Sequence, residues 1–318
     1  MRNPPSVASA AIAATHAEWR QQPERGSRLL LSWMAFVSLR LGRRFGRLIL
    51  YAIAAYYFVF APRARRHMRR YLRRALGRAP RARDRFRHVL SFATSIHDRV
   101  YLLADRPELF QVTVSGEPQM RAVLARGRGA VLLGAHVGSF EIVRIVGALR
   151  AGVTVTMAMY PDNARKINAM LQAIGATNPP EFIAVGQLDS MLRLRERLDQ
   201  GALIGMLADR RFHNDEATLE VNFLGATARF PLGPMRIAAA LGAPVVFMCG
   251  LYQGGNRYHV VFEPLADFAS IARTERAAAI ESAVRRYGEL LEHCCCSEPH
   301  NWYNFFDFWE EDDPRGSA

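Results

Sequence analysis

Apolar positions in this chain follow two rhythms. Short continuous runs at 130–134, 153–157, 182–185, 203–207, 219–223, 245–251 and 258–262 are bounded by glycine, proline or polar breakers, the pattern of buried strands. At 139–149, 164–174, 188–198, 232–241 and 272–293 the apolar residues instead recur every three or four positions, which predicts helices. A further helix is expected over 86–103, with 105–118 as the connection into the core. Strands that alternate with helices predict an α/β fold with a mostly parallel sheet covered on both faces. No repeat interrupts this order, so one catalytic domain is expected.

The region before residue 90 is patterned differently. Apolar stretches at 29–39 and 48–61 are separated by Arg40, Arg43, Arg44 and Arg47. As helices they reach about 16 and 21 Å, short of a hydrocarbon core of about 30 Å, so interfacial or re-entrant helices suit them better than two clean spans. Arg66, Arg69, Arg70, Arg73 and Arg74 then share one helical face, opposite Met68, Tyr71, Leu72, Ala75 and Leu76. That is a basic amphipathic helix.

Charge sharpens this division. The formal net charge is +13, yet residues 1–90 hold 20 arginines, no lysine and three acids, a local +17, while the remainder carries −4. The arginines are interleaved with aromatic runs such as Tyr56 to Phe60, which favours an anionic membrane surface over nucleic acid. The expected organisation is a flexible N-terminus over 1–28, a basic helical membrane arm over 29–90, the catalytic domain over 91–310 and an acidic tail over 311–318. Few bulky apolar residues occur in the first 16, so a cleaved signal peptide is not expected. Cys249 falls in an apolar strand and Cys294, Cys295 and Cys296 are consecutive, which gives neither a disulfide plan nor a metal knuckle; reduced surroundings and no metal are expected.

The candidate chemistry lies at the end of the first apolar run, in Gly134-Ala135-His136-Val137-Gly138-Ser139-Phe140-Glu141. A strand, a turn at Gly138 and a helix capped by Ser139 would bring a histidine and a carboxylate to the C-terminal edge of a sheet, where open α/β sheets hold ligands. On one continuous helix, residues five apart would point about 140° away from each other; a turn between them lets Glu141 return to the His136 imidazole. Such a pair makes the ring a general base and steadies its charged form. His293 and Glu298 repeat the spacing without a preceding strand, so that pair is read as accidental.

This block resembles the His-x4-Asp/Glu signature of the lysophospholipid acyltransferase superfamily, and specifically the late acyltransferases of lipid A biosynthesis. Leu203 to Arg210, an apolar strand ending in Asp209, and Val221 to Pro234, a phenylalanine- and glycine-rich loop, are similar to further blocks of that family in order and spacing. The likeness extends over about residues 25–309 and is nearest to a branch found with aryl-polyene pigment pathways, on the evidence of Leu39 to Arg43, Met159 to Asn168 and the aromatic ending Asn301 to Trp309. That ending replaces the Trp-x-His-Arg-Arg-like terminus of the lipid A enzymes, and no arginine stands beside Tyr160, so a different acceptor is in view. The resemblance implies the α/β sandwich of glycerolipid acyltransferases and an O-acyltransferase at the cytoplasmic face of the bacterial inner membrane. It implies a thioester donor, on acyl carrier protein or coenzyme A, a lipid hydroxyl acceptor, and no other cofactor.

Around His136 and Glu141, Asp209 and Arg210 are candidate cleft residues, the arginine suited to a phosphate or carboxylate, with a surface ion pair as the alternative. Arg229 lies in a glycine-rich turn feeding a helix, where backbone donors can hold an anion. Asn163 and Arg165 are candidate substrate contacts on the resemblance alone. Backbone donors near Gly138 and in 225–234 are expected to face the oxyanion. The same histidine and carboxylate could activate water in a lipid hydrolase, although no Gly-x-Ser-x-Gly elbow is present. A non-catalytic membrane or nucleic-acid binder working through the arginine arm is the other alternative.

Overall fold

The computed structural model describes residues 38–161, 171, 180–186, 188–211 and 215–309. In chain order its strands are β1 (Gln111–Ser115), β2 (Val131–Gly134), β3 (Val155–Met159), β4 (Phe182–Ala184), β5 (Leu203–Leu207), β6 (Thr218–Phe223), β7 (Ala226–Pro231), β8 (Pro244–Tyr252) and β9 (Arg257–Asp267). The described helices are α1 (Arg43–Phe60), α2 (Pro62–Leu76), α3 (Ala82–Leu103), α4 (Glu117–Leu124), α5 (Phe140–Ala151), α6 (Leu188–Asp199), α7 (Gly233–Leu241) and α8 (Arg276–Ser297).

Seven strands form one sheet in the order β1-β9-β8-β2-β5-β3-β4, and β6 and β7 form a separate hairpin. Within the large sheet only β8 and β9 run antiparallel. The mostly parallel α/β sheet expected from the apolar rhythm is therefore present. Its central strands face two cores by simple alternation. Leu132, Leu203, Val246 and Met248 join the core under α5, whereas Val131, Leu133, Ile204, Met206, Val245 and Phe247 join the larger core of α2, α7 and α8. Strands buried on both faces must be apolar throughout, which is why they read as unbroken runs.

Three elements depart from the sequence reading. β1 occupies the stretch 105–118 expected to be a connection, and α4 begins at its end. Gln-Val-Thr-Val-Ser alternates, but over five residues with only two apolar ones, neither fully buried, because β1 is an edge strand paired on one side, with β9. β7 occupies part of the glycine-rich segment expected to be a loop; Leu224 and Gly225, at φ 51° and 75°, make the tight turn that folds it back on β6. The helix expected over 164–174 falls almost wholly outside the described residues, as do Asn163 and Arg165.

The described part of the basic region is built into the domain. Arg43 of α1 makes a two-pronged ion pair with fully buried Asp98 of α3, 2.7 Å at each prong, and Tyr258 of β9 donates to the same carboxylate at 2.8 Å. Met68, Tyr71, Leu72 and Ala75 of α2 are buried, and the Tyr71 ring packs edge-on against Trp302 at 5.0 Å. The amphipathic pattern of α2 was thus legible, but its apolar face is turned to the protein core, and residue 90 marks no packing boundary. No single described helix is long and apolar enough to cross a membrane; α1 and α2 meet at a 97° bend. What α1 exposes instead is apolar, including Leu48 at 68% and Phe60 at 58%.

Candidate active site

β2 and β5 are parallel neighbours with Gly134 opposite Leu207. Two residues beyond each strand end stand His136 and Asp209, so the register alone sets them side by side. The imidazole Nδ1 lies 2.9 Å from Asp209 Oδ1, and the His136 backbone N–H donates to Oδ2 at 3.1 Å. Trp302 Nε1 donates to the same Oδ2 at 3.0 Å. Three bonds thus fix one carboxylate that is fully buried, while the His136 side chain keeps 36% exposure. With Nδ1 turned to the carboxylate, the outward edge of the ring is the one that carries Nε2.

The charges follow from this packing. Burial by itself would raise the Asp209 pKa, but His136, Arg210 and the Trp302 indole outweigh it and hold the carboxyl well below the usual range. An ionised carboxylate only accepts, so Nδ1 carries the proton and Nε2 is left with its lone pair. Burial pushes the His136 pKa below its ordinary 6.5, and the positive field of Arg210 and Arg99 adds to this against the pull of Asp209. At neutral pH the ring is a neutral base. This is the arrangement for taking a proton from a hydroxyl or water.

Glu141 is not the partner of His136. It is buried in the first turn of α5, and its Oε2 accepts from Arg144 Nε at 2.9 Å. The turn at Gly138, φ 59°, starts α5 as expected, but it leads the Glu141 carboxylate along the helix to its i+3 neighbour. Asp209, assigned from its strand end as a cleft residue, takes the orienting position. The amides expected to face an oxyanion near Gly138 are also engaged: Gly138 N–H donates to Asn301 O and Ser139 N–H to Gly250 O. Gly138 has no room for a side chain, since a Cβ there would overlap Gly250 O.

Arg210 follows Asp209 with its Nη2 donating to Tyr303 O at 2.9 Å and its guanidinium 4.9 Å from the centre of the Phe306 ring. Arg229 stands on the exposed side of β7, 3.2 Å from Glu220, and its charge is felt at Arg211. The residues that sequence reasoning missed lie in the aromatic ending. Tyr303 N–H donates to His136 O, Asn301 pins Tyr252 of β8 through both its amide atoms, and Trp302 holds Asp209. The one signal was a dense aromatic run, and core packing and catalytic support look the same in such a run. An apolar cleft of about 460 Å³ opens elsewhere, between α3, β1 and α5, and no residue named in this site lines it.

A carboxylate-held imidazole at the C-terminal ends of two central parallel strands of an α/β sheet is an arrangement able to serve acyl transfer or hydrolysis. Residues 22–310 match the model of the bacterial lipid A biosynthesis acyltransferases, and the chain belongs to that family. It is an acyltransferase of lipid biosynthesis. It is also similar to phosphatidylinositol mannoside acyltransferase of Mycobacterium tuberculosis strain ATCC 25618 / H37Rv, 24% identical over 230 residues, which are 71% of this chain and 67% of that protein. The same protein of strain CDC 1551 / Oshkosh matches with the same identity and coverage.

Proposed function

We propose that this protein moves an acyl chain from a thioester carrier, acyl carrier protein or coenzyme A, to a hydroxyl of a lipid or glycolipid, with His136 as general base oriented by Asp209. Nε2 takes the hydroxyl proton as the oxygen attacks the thioester carbonyl. The tetrahedral intermediate collapses with loss of the thiolate, which recovers the proton from Nε2, and the new ester leaves with the acceptor. Asp209 stays ionised and steadies the transient imidazolium. General-base help of this kind is worth about 10² to 10⁴ in rate. The observation that carries this reading is the imidazole held by a buried carboxylate at Nδ1 with its other edge open. The named activity of the mycobacterial relative supports a glycolipid acceptor.

We propose the cytoplasmic face of the inner membrane as the place of the reaction, on the resemblance to the aryl-polyene and lipid A enzymes. The exposed apolar side chains of α1, together with the arginines of α1 and α2, support docking of this face on an anionic bilayer. Asn163 and Arg165, on the family resemblance, and Arg229, on the glycine-rich segment that feeds α7, complete the proposed substrate contacts.

The test is the purified full chain in vesicles with a long-chain acyl-coenzyme A or acyl-carrier thioester and a bacterial lipid extract, read by mass spectrometry. Acylated lipid that falls by a hundredfold or more in His136→Ala is the expected result. Free fatty acid as the main product would make it a hydrolase, undiminished acylated lipid from His136→Ala would remove His136 as the base, and vesicle binding with no acyl product from either protein would make it a binding protein.

A further inference from the structure

β8 outruns its neighbour β2. Their pairing ends at Leu133 opposite Phe247, yet β8 continues to Tyr252, so the edge that β2 leaves must find other partners for its backbone groups. At Gly250 the partner is the turn after His136: Gly138 forms a bridge with Gly250, and Ser139 N–H donates to Gly250 O at 2.8 Å. Two residues on, where backbone groups again point to this side, the partner is a side chain. Tyr252 N–H donates to Asn301 Oδ1 at 2.7 Å, and Tyr252 O accepts from Asn301 Nδ2 at 3.0 Å. A primary amide offers an acceptor and a donor as a peptide group does, so Asn301 continues the ladder in place of a strand residue. Its own carbonyl accepts from Gly138 N–H at 2.9 Å. The next two residues reach the site: Trp302 Nε1 donates to Asp209 Oδ2 at 3.0 Å, and Tyr303 N–H to His136 O at 2.9 Å.

We propose that Asn301 is a positioning residue for the His136 and Asp209 pair, fastening the 301–303 segment and the Gly138 turn to the end of β8. Asn301 is 1% exposed, so it acts through these neighbours and not on substrate. The kinetic side of the proposal rests on the acyl-transfer reading. With the amide in place, residues 301, 302 and 303 meet Gly138, Asp209 and His136 in one register. Without it, Tyr252 loses both bonds on this side, and the segment is left to the packing of Trp302 and to the bond between the Tyr303 hydroxyl and Ser95. A displacement of about 1 Å at reacting groups can cost about a hundredfold in rate. Aspartate at 301 would keep the acceptor but, ionised, lose the donor, which sets an oxygen against Tyr252 O.

The test joins proton NMR to kinetics on the full-length protein, with the His136 Nδ1–H resonance assigned by its loss in His136→Ala. Asn301→Ser is short enough to admit water to Tyr252, and Asn301→Asp keeps one of the two bonds. Both are expected to lower kcat by about ten- to a hundredfold with KM changed less than about threefold, and to speed solvent exchange of the Nδ1 proton by at least about tenfold. Thr156→Val removes a buried hydrogen bond to Glu181 on β3, away from the site; it is expected to lower Tm and leave kcat and the Nδ1 resonance as in wild type. Wild-type kcat in both Asn301 variants, a fall in kcat without faster Nδ1 exchange, or a fall that Thr156→Val reproduces at equal loss of Tm overturns the proposal. Should neither Asn301 variant fold, the wild-type spectrum decides. Asn301 amide protons and Gly138 N–H protected together with the Nδ1 proton support it, and an Asn301 amide that exchanges as fast as a free side chain overturns it. The NMR arms need no turnover, so an inactive wild-type preparation counts against the transfer reaction while exchange still judges Asn301.

Discussion

Trp302 donates its indole N–H to Asp209 at 3.0 Å, across 93 residues of sequence. The carboxylate that orients the candidate base is therefore held from the far end of the chain, through a segment that also forms an isolated bridge between Val137 and Trp302. Removing the donor while keeping the ring packing separates these two duties. Trp302→Phe is expected to lower kcat by about tenfold, the worth of one hydrogen bond to a charged group, with a smaller change in thermal stability. Equal kcat in the variant, measured at saturating donor, would show that Asp209 needs no third bond.

Asp209 and Glu141 compete for the orienting role on paper, and the geometry ranks them. Asp209→Asn leaves the shape of the site but takes away the acceptor that fixes Nδ1–H, and kcat is expected to fall by about a hundredfold or more. Glu141→Gln leaves Arg144 short of its buried partner, so its main effect is expected on thermal stability. Steady-state kinetics and calorimetry on the two variants check this order. The reverse order would return the orienting role to Glu141.

The pH profile carries the depressed basicity of His136. A base must be deprotonated to act, and a pKa below 6.5 moves the acid limb of kcat/KM to lower pH than a free imidazole would give. Arg210→Gln removes a positive neighbour, so its acid limb is expected to shift back upward. A wild-type limb above 6.5 would contradict the assignment of the titrating group to this ring.

A second histidine is expected to bear on stability in acid. His88 is fully buried among Tyr71, Tyr303 and Phe305, and burial drops its pKa from 6.5 to about 3. The unfolded chain takes up a proton at this residue below pH 6.5 and the folded chain does not until about pH 3. Its contribution is therefore complete above 6.5 and is lost as the pH falls through that window, on the order of 5 kcal/mol in all. His88→Phe should flatten the fall in Tm between neutral and acidic buffer. An unchanged slope would mean that other groups, such as His300 at about 4, set the acid limit.

Membrane docking through α1 has a direct test. Leu48 and Phe60 are more than half exposed, so Leu48→Glu with Phe60→Glu disturbs no core. Each apolar side chain is worth about 1.5 to 3 kcal/mol if it enters the bilayer, and flotation with anionic vesicles is expected to drop at least about tenfold for the pair. Undiminished flotation would remove α1 from the docking surface.

Much of the fold was legible because burial on both faces of a parallel sheet leaves its mark locally. The span of β5 was read to the residue, and β2, β8, α5, α6 and α7 to within a few residues. The segments that escaped are those where local pattern is weak: β1, an edge strand with two apolar residues, and β7, whose pairing depends on a turn at Leu224 and Gly225. The basic helix α2 was recognised, but which way its apolar face turned was not, since a bilayer and a protein core select the same residues.

For the site, the amino-acid sequence by itself determined that His136 and Asp209 each follow an apolar strand and that a base and a carboxylate were available. Only the tertiary structure decided which carboxylate serves. Parallel pairing of Gly134 with Leu207 brings Asp209 to the imidazole, while the helical rise after Gly138 carries Glu141 to Arg144. Strand order is a non-local property, set by how seven strands share two cores, and no spacing along the chain encodes which strand ends become neighbours.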